Sequence, residues 1–333
     1  MNKPVRQPRR ALHGVILLDK PLGLSSNDAL QKVKRLFRAE KAGHTGTLDP
    51  LATGLLPLCF GTATKFSQVS LDADKRYTAT VKLGQTTSTG DAEGEVLSTR
   101  EVNAENVSAT RIAQACQQFT GEIDQVPPMY SALKHQGRAL YEYAREGVEI
   151  ERAARRVIIH GIDILDWQGD VLTLDVRCTK GTYIRTLAQD IGEWLGCGAH
   201  LIGLRRTGTG GVTLDKAVTL EALQTLSEVE RDAWLLPPDV LLSDWPDVLL
   251  SEADAGRFLT GMRRRVSMAD APQVRVYGPL PGPGSLPERR VLLGSAHVKA
   301  GELIPTRLLS PAEIEGVLLQ SLPKVVAEPA VQI

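Results

Sequence analysis

The chain has 333 residues, of which 42% are hydrophobic and 23% charged, and its 39 basic residues balance 39 acidic ones. This composition is typical of a water-soluble globular protein, and the length predicts two domains because one core rarely supports so long a chain. A net charge of zero argues mildly against a nucleic-acid binder, although binding depends on where the charges lie.

The four cysteines are widely spaced and form no Cys-x-x-Cys pair, so disulfide and metal sites are both poorly supported. Reduced thiols are typical of cytoplasmic proteins, and we expect that location. The basic N-terminus is followed by a short apolar run, residues 15–18, which is neither a signal peptide nor a membrane span. The sequence has no P-loop, no Gly-x-Gly-x-x-Gly motif and no metal-ligand spacing.

Basic residues form several short clusters along the chain. Taken singly, each cluster is interpreted as solvated surface, whereas several on one face would form a surface that follows a phosphate backbone. The clusters are Lys3/Arg6/Arg9/Arg10, Arg152/Arg155/Arg156, Arg205/Arg206, Arg263/Arg264/Arg265 and Arg289/Arg290.

The first elements are predicted by local pattern. Residues 15–18 are typical of a buried strand, and Ser25 to Asn27 supply an N-cap for the helix that follows. Apolar residues then recur at helical spacing over residues 29–37.

The most unusual segment is residues 43–54, Gly-His-Thr-Gly-Thr-Leu-Asp-Pro-Leu-Ala-Thr-Gly. Its composition predicts a loop, in which Gly43 and Gly46 permit backbone shapes closed to other residues and Pro50 biases Asp49 toward an extended conformation. Asp49 is therefore expected on a stiff mounting of the kind a catalytic carboxylate needs. The same pattern is also typical of a simple turn in which Asp bonds its own backbone.

Further elements follow in chain order. Residues 77–83 and 172–176 alternate with period two and predict strands, whereas 107–119 and 184–195 show helical spacing, the latter ending at Gly196. Residues 91–94 are typical of a turn, and residues 126–156 of a polar surface excursion. Because no regular strand–helix–strand repeat is present, we predict an α+β fold with a mostly antiparallel sheet.

The composition changes near residues 237–246, which we interpret as a linker. A short helix is predicted from residue 248, strands at 274–277 and 290–294, a Pro/Gly-rich loop at 278–287, and no pattern after residue 320.

Four blocks of this sequence resemble the TruB-type family of tRNA pseudouridine-55 synthases. They are residues 14–21, residues 43–56, the triplet Lys75-Arg76-Tyr77, and residues 180–187, in the family's order and at its spacing. The resemblance covers residues 14–211 strongly and the remainder more loosely. It implies isomerisation of the T-loop uridine 55 of tRNA to pseudouridine, without a metal or other cofactor.

The resemblance also implies roles for particular residues. Asp49 would act at the sugar–base junction as nucleophile or charge stabiliser, Arg185 would pair with it, and Tyr77 would pack against the flipped base and relay the C5 proton. The substrate-binding residues it implies are His44, Tyr183, Leu204 and Lys20. Tyr183 would project with Arg185 if that segment is extended. By pattern alone, Arg185 is more typical of a surface Arg, Tyr77 of a strand aromatic and His44 of a structural or exposed loop residue. Leu204 is by pattern at least as typical of a core Leu.

The expected partner is the T-arm stem-loop of tRNA, with a monomeric protein, no membrane contact and no obligatory protein partner. The resemblance implies a pseudouridine synthase catalytic domain at 13–240 with an RNA-gripping insertion near 126–156, and a small β-rich PUA-like RNA-binding domain at 247–315. The basic extension at 1–12 departs from the family, and the lack of pattern predicts a disordered tail at 320–333.

Two other functions are compatible with parts of the sequence. A non-catalytic RNA-binding or tRNA-folding protein would use the same basic clusters and PUA-like domain, but it would not need Asp49, Tyr77 and Arg185 together. An aspartyl phosphotransferase is suggested by Thr45-Gly46-Thr47, but in such enzymes the Asp precedes the Thr-Gly-Thr run, and no acidic motif for magnesium is evident here.

Overall fold

The computed structural model describes residues 8–279 and 290–320. Several sequence-based expectations lie outside these residues, namely Lys3, Arg6 and Arg289 of the basic clusters, residues 280–287 of the predicted loop, and residues 321–333 of the predicted tail. The elements below are therefore those of the described residues.

The helices of these residues are mostly short. They are α1 (Ser26–Leu36), α2 (Ser67–Asp72), α3 (Ala109–Gln118), α4 (Leu140–Arg145), α5 (Ile184–Leu195), α6 (Leu220–Thr225), α7 (Glu228–Asp232), α8 (Glu252–Leu259) and α9 (Pro311–Gln320), with 3₁₀ turns at Gly61–Phe66, Leu214–Lys216 and Pro238–Leu242. No helix in the described ranges combines the length and apolarity that a membrane crossing requires.

The strands form one large sheet, one smaller sheet and two short hairpins. They are β1 (Gly14–Lys20), β2 (Ala42–His44), β3 (Ala52–Phe60), β4 (Lys75–Leu83), β5 (Gln85–Thr87), β6 (Val96–Thr99), β7 (Gly121–Gln125), β8 (Lys134–His135), β9 (Arg138–Ala139), β10 (Arg155–Gln168), β11 (Val171–Cys178), β12 (Ala199–Thr209), β13 (Val212–Thr213), β14 (Val218–Thr219), β15 (Asp247–Leu249), β16 (Arg264–Arg265), β17 (Ala271–Gly278), β18 (Val291–Lys299) and β19 (Glu302–Leu308).

The large sheet runs β14-β1-β3-β12-β4-β11-β10-β7, with β2 added to β3 and β13 to β12. Its pairings are antiparallel except for β1 with β14 and β12 with β3. The smaller sheet runs β15-β17-β18-β19-β16. The predicted α+β class with a mostly antiparallel sheet and a β-rich C-terminal part is therefore confirmed.

Local patterns located several elements correctly. In α1, the Ser25 hydroxyl accepts the Asp28 N–H as an N-cap, and α5 ends at Gly196, whose φ of 88° is left-handed. The strands expected at 77–83 and 172–176 are β4 and β11, and the helix expected at 107–119 is α3.

Two segments differ from expectation. The predicted loop at 43–54 contains the end of β2 and the start of β3, and its apolar continuation is the rest of β3, a central strand between β1 and β12. The helix expected from residue 248 starts later, because residues 247–249 form strand β15 beside β17 and Ser251 caps α8. In both cases pairing with a distant strand decides the conformation.

Buried apolar side chains cover both faces of the large sheet. In β1, Val15 and Leu17 join a core shared with the smaller sheet, whereas Ile16 and Leu18 join the core beneath α1. A third core lies beneath α3 and α5. Burial on both faces explains why the strand has no polar alternation. It also gives the large sheet a firm base for the loops at its edge.

Candidate active site

Asp49 lies on the loop between β2 and β3, and hydrogen bonds fasten that loop on both sides. The Leu48 N–H donates to the Ser26 hydroxyl at 2.7 Å, and the Ser70 hydroxyl donates to Thr45 Oγ1 at 2.8 Å. Gly46 has a φ of 82°, a conformation that favours glycine. Asp49 is therefore held on a fixed mounting, as the composition of the segment predicts.

Arg185, in the first turn of α5, connects Asp49 to the buried Asp91. Its Nη2 lies 3.0 Å from Asp49 Oδ2, and its Nη1 lies 3.2 Å from Asp91 Oδ2. The guanidinium also donates to the backbone oxygens of Thr89 and Tyr130, at 3.2 and 2.6 Å. The Arg185 side chain is 8% exposed, and these contacts fix the position of its guanidinium. It can therefore hold the Asp49 carboxylate in one orientation.

The Asp49 carboxylate is the exposed member of this group. Its side chain is 44% exposed, whereas that of Asp91 is 3% exposed. Loss of solvation has the largest effect on the pKa of Asp49 and raises it, and the Asp91 charge raises it further. The charges of Arg185 and Lys20 lower the pKa, but the net change is a rise. The Asp49 carboxylate is accessible to solvent on one side and oriented by Arg185 on the other, so it can contact a reacting atom of a bound substrate.

Lys20 provides a second cation near Asp49. It ends β1 and is fully buried, and its Nζ donates to the backbone oxygens of Pro21 and Leu24 at 3.0 and 2.6 Å. Burial lowers the pKa of Lys20 to about 8, a shift that the Asp49 charge opposes. Its ammonium group therefore fastens the turn at residues 21–24, and its charge biases Asp49 toward the ionised form.

Tyr77 lies on β4 directly opposite Arg206 on β12, which places the two side chains on the same face of the sheet. Burial raises the pKa of the Tyr77 phenol, and the Arg206 charge opposes that rise. Arg206 also donates from Nε to the Leu55 oxygen at 2.7 Å and from Nη2 to the Gly46 oxygen at 3.2 Å. Tyr77 is thereby linked to the loop that carries Asp49.

The interpretation of the basic clusters as solvated surface is wrong for Arg206, and the side chains of Arg10 and Arg152 are also largely buried, at 17% and 18% exposure. Arg206 is 1% exposed, whereas the side chain of its neighbour Arg205 is 42% exposed and pairs with Asp19 at 2.6 Å. Successive side chains of a strand point to opposite faces, which separates the two arginines. Arg10 forms an ion pair with Asp232.

Tyr183 precedes α5 and is fastened by the buried Gln125. The Tyr183 N–H donates to Gln125 Oε1 at 3.0 Å, and the Tyr183 oxygen accepts from Gln125 Nε2 at 3.3 Å. Burial raises the pKa of the Tyr183 phenol, which also feels the charges of Arg185 and Asp49. The segment is not extended through Arg185, because the helix has already begun, so the condition for parallel projection is not met.

Leu204 lies on β12, and His44 ends β2. Leu204 is opposite Ala79 of β4 and Ala52 of β3, and it is partly buried where two of the cores meet. His44 Nδ1 is buried without a hydrogen-bond partner in the described part of the chain. Burial and the Arg206 charge lower the pKa of His44, which keeps the ring neutral near pH 7.

Sequence patterns did not identify three residues that hold this site together: Asp91, Arg206 and Gln125. Asp91 was interpreted as part of a turn, and Arg206 as part of a surface cluster. Their partners are distant in sequence, so no local signal could have identified them. Among the described residues, no cluster of three His, Cys, Asp or Glu side chains could hold a metal, and all four cysteines are free and buried.

Comparison with known proteins agrees with this architecture. The model of the TruB family pseudouridylate synthase N-terminal domain matches residues 34–184, and that of the tRNA pseudouridylate synthase B C-terminal domain matches residues 185–243. The tRNA pseudouridine synthase B of Cupriavidus pinatubonensis is 58% identical over 318 residues, covering 92% of this chain and 98% of the relative. That of Ralstonia nicotianae is 58% identical over 314 residues, with the same coverage.

Solved structures share the fold. A chain of the Cbf5-Nop10-Gar1 complex superposes with a TM-score of 0.68 and 25% identity, covering 91% of this chain and 86% of its own. A chain of the archaeal box H/ACA sRNP Nop10-Cbf5 complex gives 0.64 and 24%, over 90% and 86%. The fold is therefore that of the pseudouridine synthases. Within that class, the chain belongs to the TruB family, as the matched family models and the relatives in Cupriavidus and Ralstonia show.

Proposed function

We propose that this chain isomerises uridine 55 in the T-loop of tRNA to pseudouridine, with Asp49 as the catalytic carboxylate. Its curated relatives are tRNA pseudouridine synthases of the same family and nearly the same length. The observation that carries the residue assignment is the Asp49 carboxylate, solvent-accessible on a fastened loop and 3.0 Å from the buried Arg185.

The reaction breaks the bond between C1′ and N1, turns the uracil and joins it to the sugar through C5. It transfers no electrons to another molecule, and its atoms all remain in the product except the C5 proton, which is lost to solvent and replaced at N1. An ionised carboxylate at C1′ assists by attacking the sugar or by stabilising its developing positive charge. Asp49, oriented by Arg185, serves in either way.

The other site residues surround that carboxylate. The target base leaves its stack to reach the site, and the flipped base packs against Tyr77, which takes part in transfer of the C5 proton. Leu204 supplies an apolar wall, Tyr183 a second aromatic surface, and His44 fills space beside the flipped nucleotide. Lys20 supports the loop that carries Asp49, and its charge favours the ionised form of the Asp49 carboxyl.

The partner in this proposal is the T-arm stem-loop, bound by a monomer in the cytoplasm. Residues 13–240 form the catalytic domain, residues 126–156 contact the stem-loop, and residues 247–315 form a PUA-like RNA-binding domain. Exposed Arg155 and Arg156 lie at the end of the insertion, where they can meet phosphates.

Tritium release from uridine labelled at C5 tests the proposal. Unmodified tRNA would be incubated with the parent protein, with Asp49→Asn, and with Asp170→Asn as a matched control, since Asp170 has a similar exposure of 43% and also pairs with a cation. We expect release by the parent and by Asp170→Asn, none by Asp49→Asn, and none from tRNA carrying cytidine at position 55.

Two results would contradict the proposal in different ways. A folded parent that binds tRNA but releases no tritium would favour the non-catalytic RNA-binding or tRNA-folding function. Equal release by Asp49→Asn and the parent would leave the activity and remove Asp49 from the mechanism.

A further inference from the structure

Arg206 occupies a central place between the two strands that carry the site. In the large sheet, β12 lies between β3 and β4, and Arg206 is opposite Gly54 on one side and Tyr77 on the other. A Cβ on Gly54 would lie 2.3 Å from the Arg206 backbone oxygen, so the strands approach closely here. Pairing with both neighbouring strands therefore fixes the backbone from which the Arg206 side chain extends.

The guanidinium then reaches three groups of the site. It donates to the Leu55 and Gly46 oxygens at 2.7 and 3.2 Å, and the cross-strand register places the Tyr77 phenol beside it, where its charge acts on the phenol. A Cβ on Gly46 would lie 3.3 Å from Arg206 Nη1, so the loop backbone rests directly on the guanidinium. One planar side chain thus contacts the backbone on both sides of Asp49, at Gly46 and Leu55, and lies beside the phenol expected beneath the target base.

The absence of a carboxylate partner is unusual for so buried a cation. Arg206 is 1% exposed, and no Asp or Glu carboxylate among residues 8–279 and 290–320 forms an ion pair with its guanidinium. Burying a charge without a counter-ion is costly, and neutral backbone oxygens compensate only in part. A buried arginine that served stability alone would be expected to pair with a carboxylate. The contacts of Arg206 with the backbone around Asp49 instead indicate a role in the site.

We propose that Arg206 is a positioning residue for the isomerisation, holding the Asp49 loop and the phenol of Tyr77 at a fixed separation. The proposal rests on the proposed function, since it assigns Arg206 to the same site. Its five N–H groups in a rigid fork suit three acceptors at once, whereas a lysine at this position reaches one of them. Misplacing reacting groups by 1 Å costs about 100-fold in rate.

Arg206→Lys tests this role because it keeps the charge and removes the fork. The matched control is Arg205→Lys on the opposite face of the same strand. We expect Arg206→Lys to lower the single-turnover rate of tritium release by about 100-fold, with tRNA affinity near the parental value. The melting temperature should fall modestly, because a buried backbone oxygen loses its donor. Arg205→Lys should leave the rate within about twofold of the parent.

A double-mutant cycle with Tyr77→Phe separates positioning from general support of the fold. If Arg206 acts through Tyr77, adding Arg206→Lys to Tyr77→Phe lowers the rate much less than it does alone. Three results would overturn the proposal: a near-parental rate for Arg206→Lys, parallel losses of rate, tRNA binding and melting temperature, or rate effects of the two substitutions that simply multiply.

A readout without activity keeps this proposal distinct from the proposed function. The ¹³Cζ resonance of Tyr77, assigned by its loss in Tyr77→Phe, should move in Arg206→Lys and stay in place in Arg205→Lys. An unmoved resonance would refute the contact itself. An inactive parent with a moved resonance would refute the proposed function while leaving the link between Arg206 and Tyr77 established.

Discussion

Replacement of Arg185 by Gln should destabilise the protein far more through Asp91 than through Asp49. Arg185 contacts both carboxylates at similar distances, 3.0 Å for Asp49 and 3.2 Å for Asp91. The Asp91 side chain is 3% exposed and that of Asp49 is 44% exposed. Without Arg185, Asp49 can be solvated, whereas Asp91 stays buried, and within residues 8–279 and 290–320 its side chain keeps only the Thr89 hydroxyl and the Glu93 N–H as donors.

The expected cost follows from this difference in burial. Removing one partner of a buried ion pair costs about 3–5 kcal/mol because the other charge is left uncompensated. An exposed pair such as that with Asp49 contributes at most about 1 kcal/mol. The free energy of unfolding should therefore fall by about 3–5 kcal/mol in Arg185→Gln, and Asp91→Asn added to it should recover about 1–3 kcal/mol.

Urea unfolding at neutral pH measures both quantities, with equal slopes required for the comparison. Arg177→Gln is the matched control, since Arg177 pairs with Asp163 at 3.1 Å in solvent, with side-chain exposures of 49% and 60%. That variant should lose at most about 1 kcal/mol. Equal losses for Arg185→Gln and Arg177→Gln, or no recovery from Asp91→Asn, would refute the reasoning.

Further predictions concern the same loop. The pKa of Asp49 is raised in the folded protein, so ionisation of its carboxyl opposes folding. Asp49→Asn should therefore raise the melting temperature at pH 7, and this gain should vanish near pH 4 as the carboxyl becomes protonated. No gain at pH 7 would contradict the direction of the pKa shift. Deprotonation of Lys20 weakens its bonds to the Pro21 and Leu24 oxygens beside the site, so the rate should fall as pH rises through about 8, and Lys20→Arg should remove that alkaline limb in a pH–rate profile. Gly54→Ala should lower the free energy of unfolding by about 2–4 kcal/mol in urea titrations, because φ is 94° and the new Cβ would meet the Arg206 oxygen at 2.3 Å. Gly43→Ala, with open space at its Cβ and no positive φ, is the control and should stay within about 0.5 kcal/mol.

Family resemblance and local pattern together anticipated the core of the candidate site. The pairing of Asp49 with Arg185 followed from the resemblance alone, and the structure places the two side chains in contact. Local pattern anticipated the stiff mounting of Asp49, because glycine conformations and the effect of Pro50 act within a few residues. The catalytic roles of these residues stay predictions.

The sequence by itself determined the elements whose signals are local: β1, α1, β4, α5 with its end at Gly196, and the fastened segment around Asp49. Only the tertiary structure decided that Asp91 shares Arg185, across 94 residues of chain, and that Arg206 is buried while Arg205 is solvated. It also decided that residues 52–60 form a central strand. Periodicity and capping act over one or two turns, whereas the face on which a strand residue lies and the charge that it meets depend on which distant strand pairs with it.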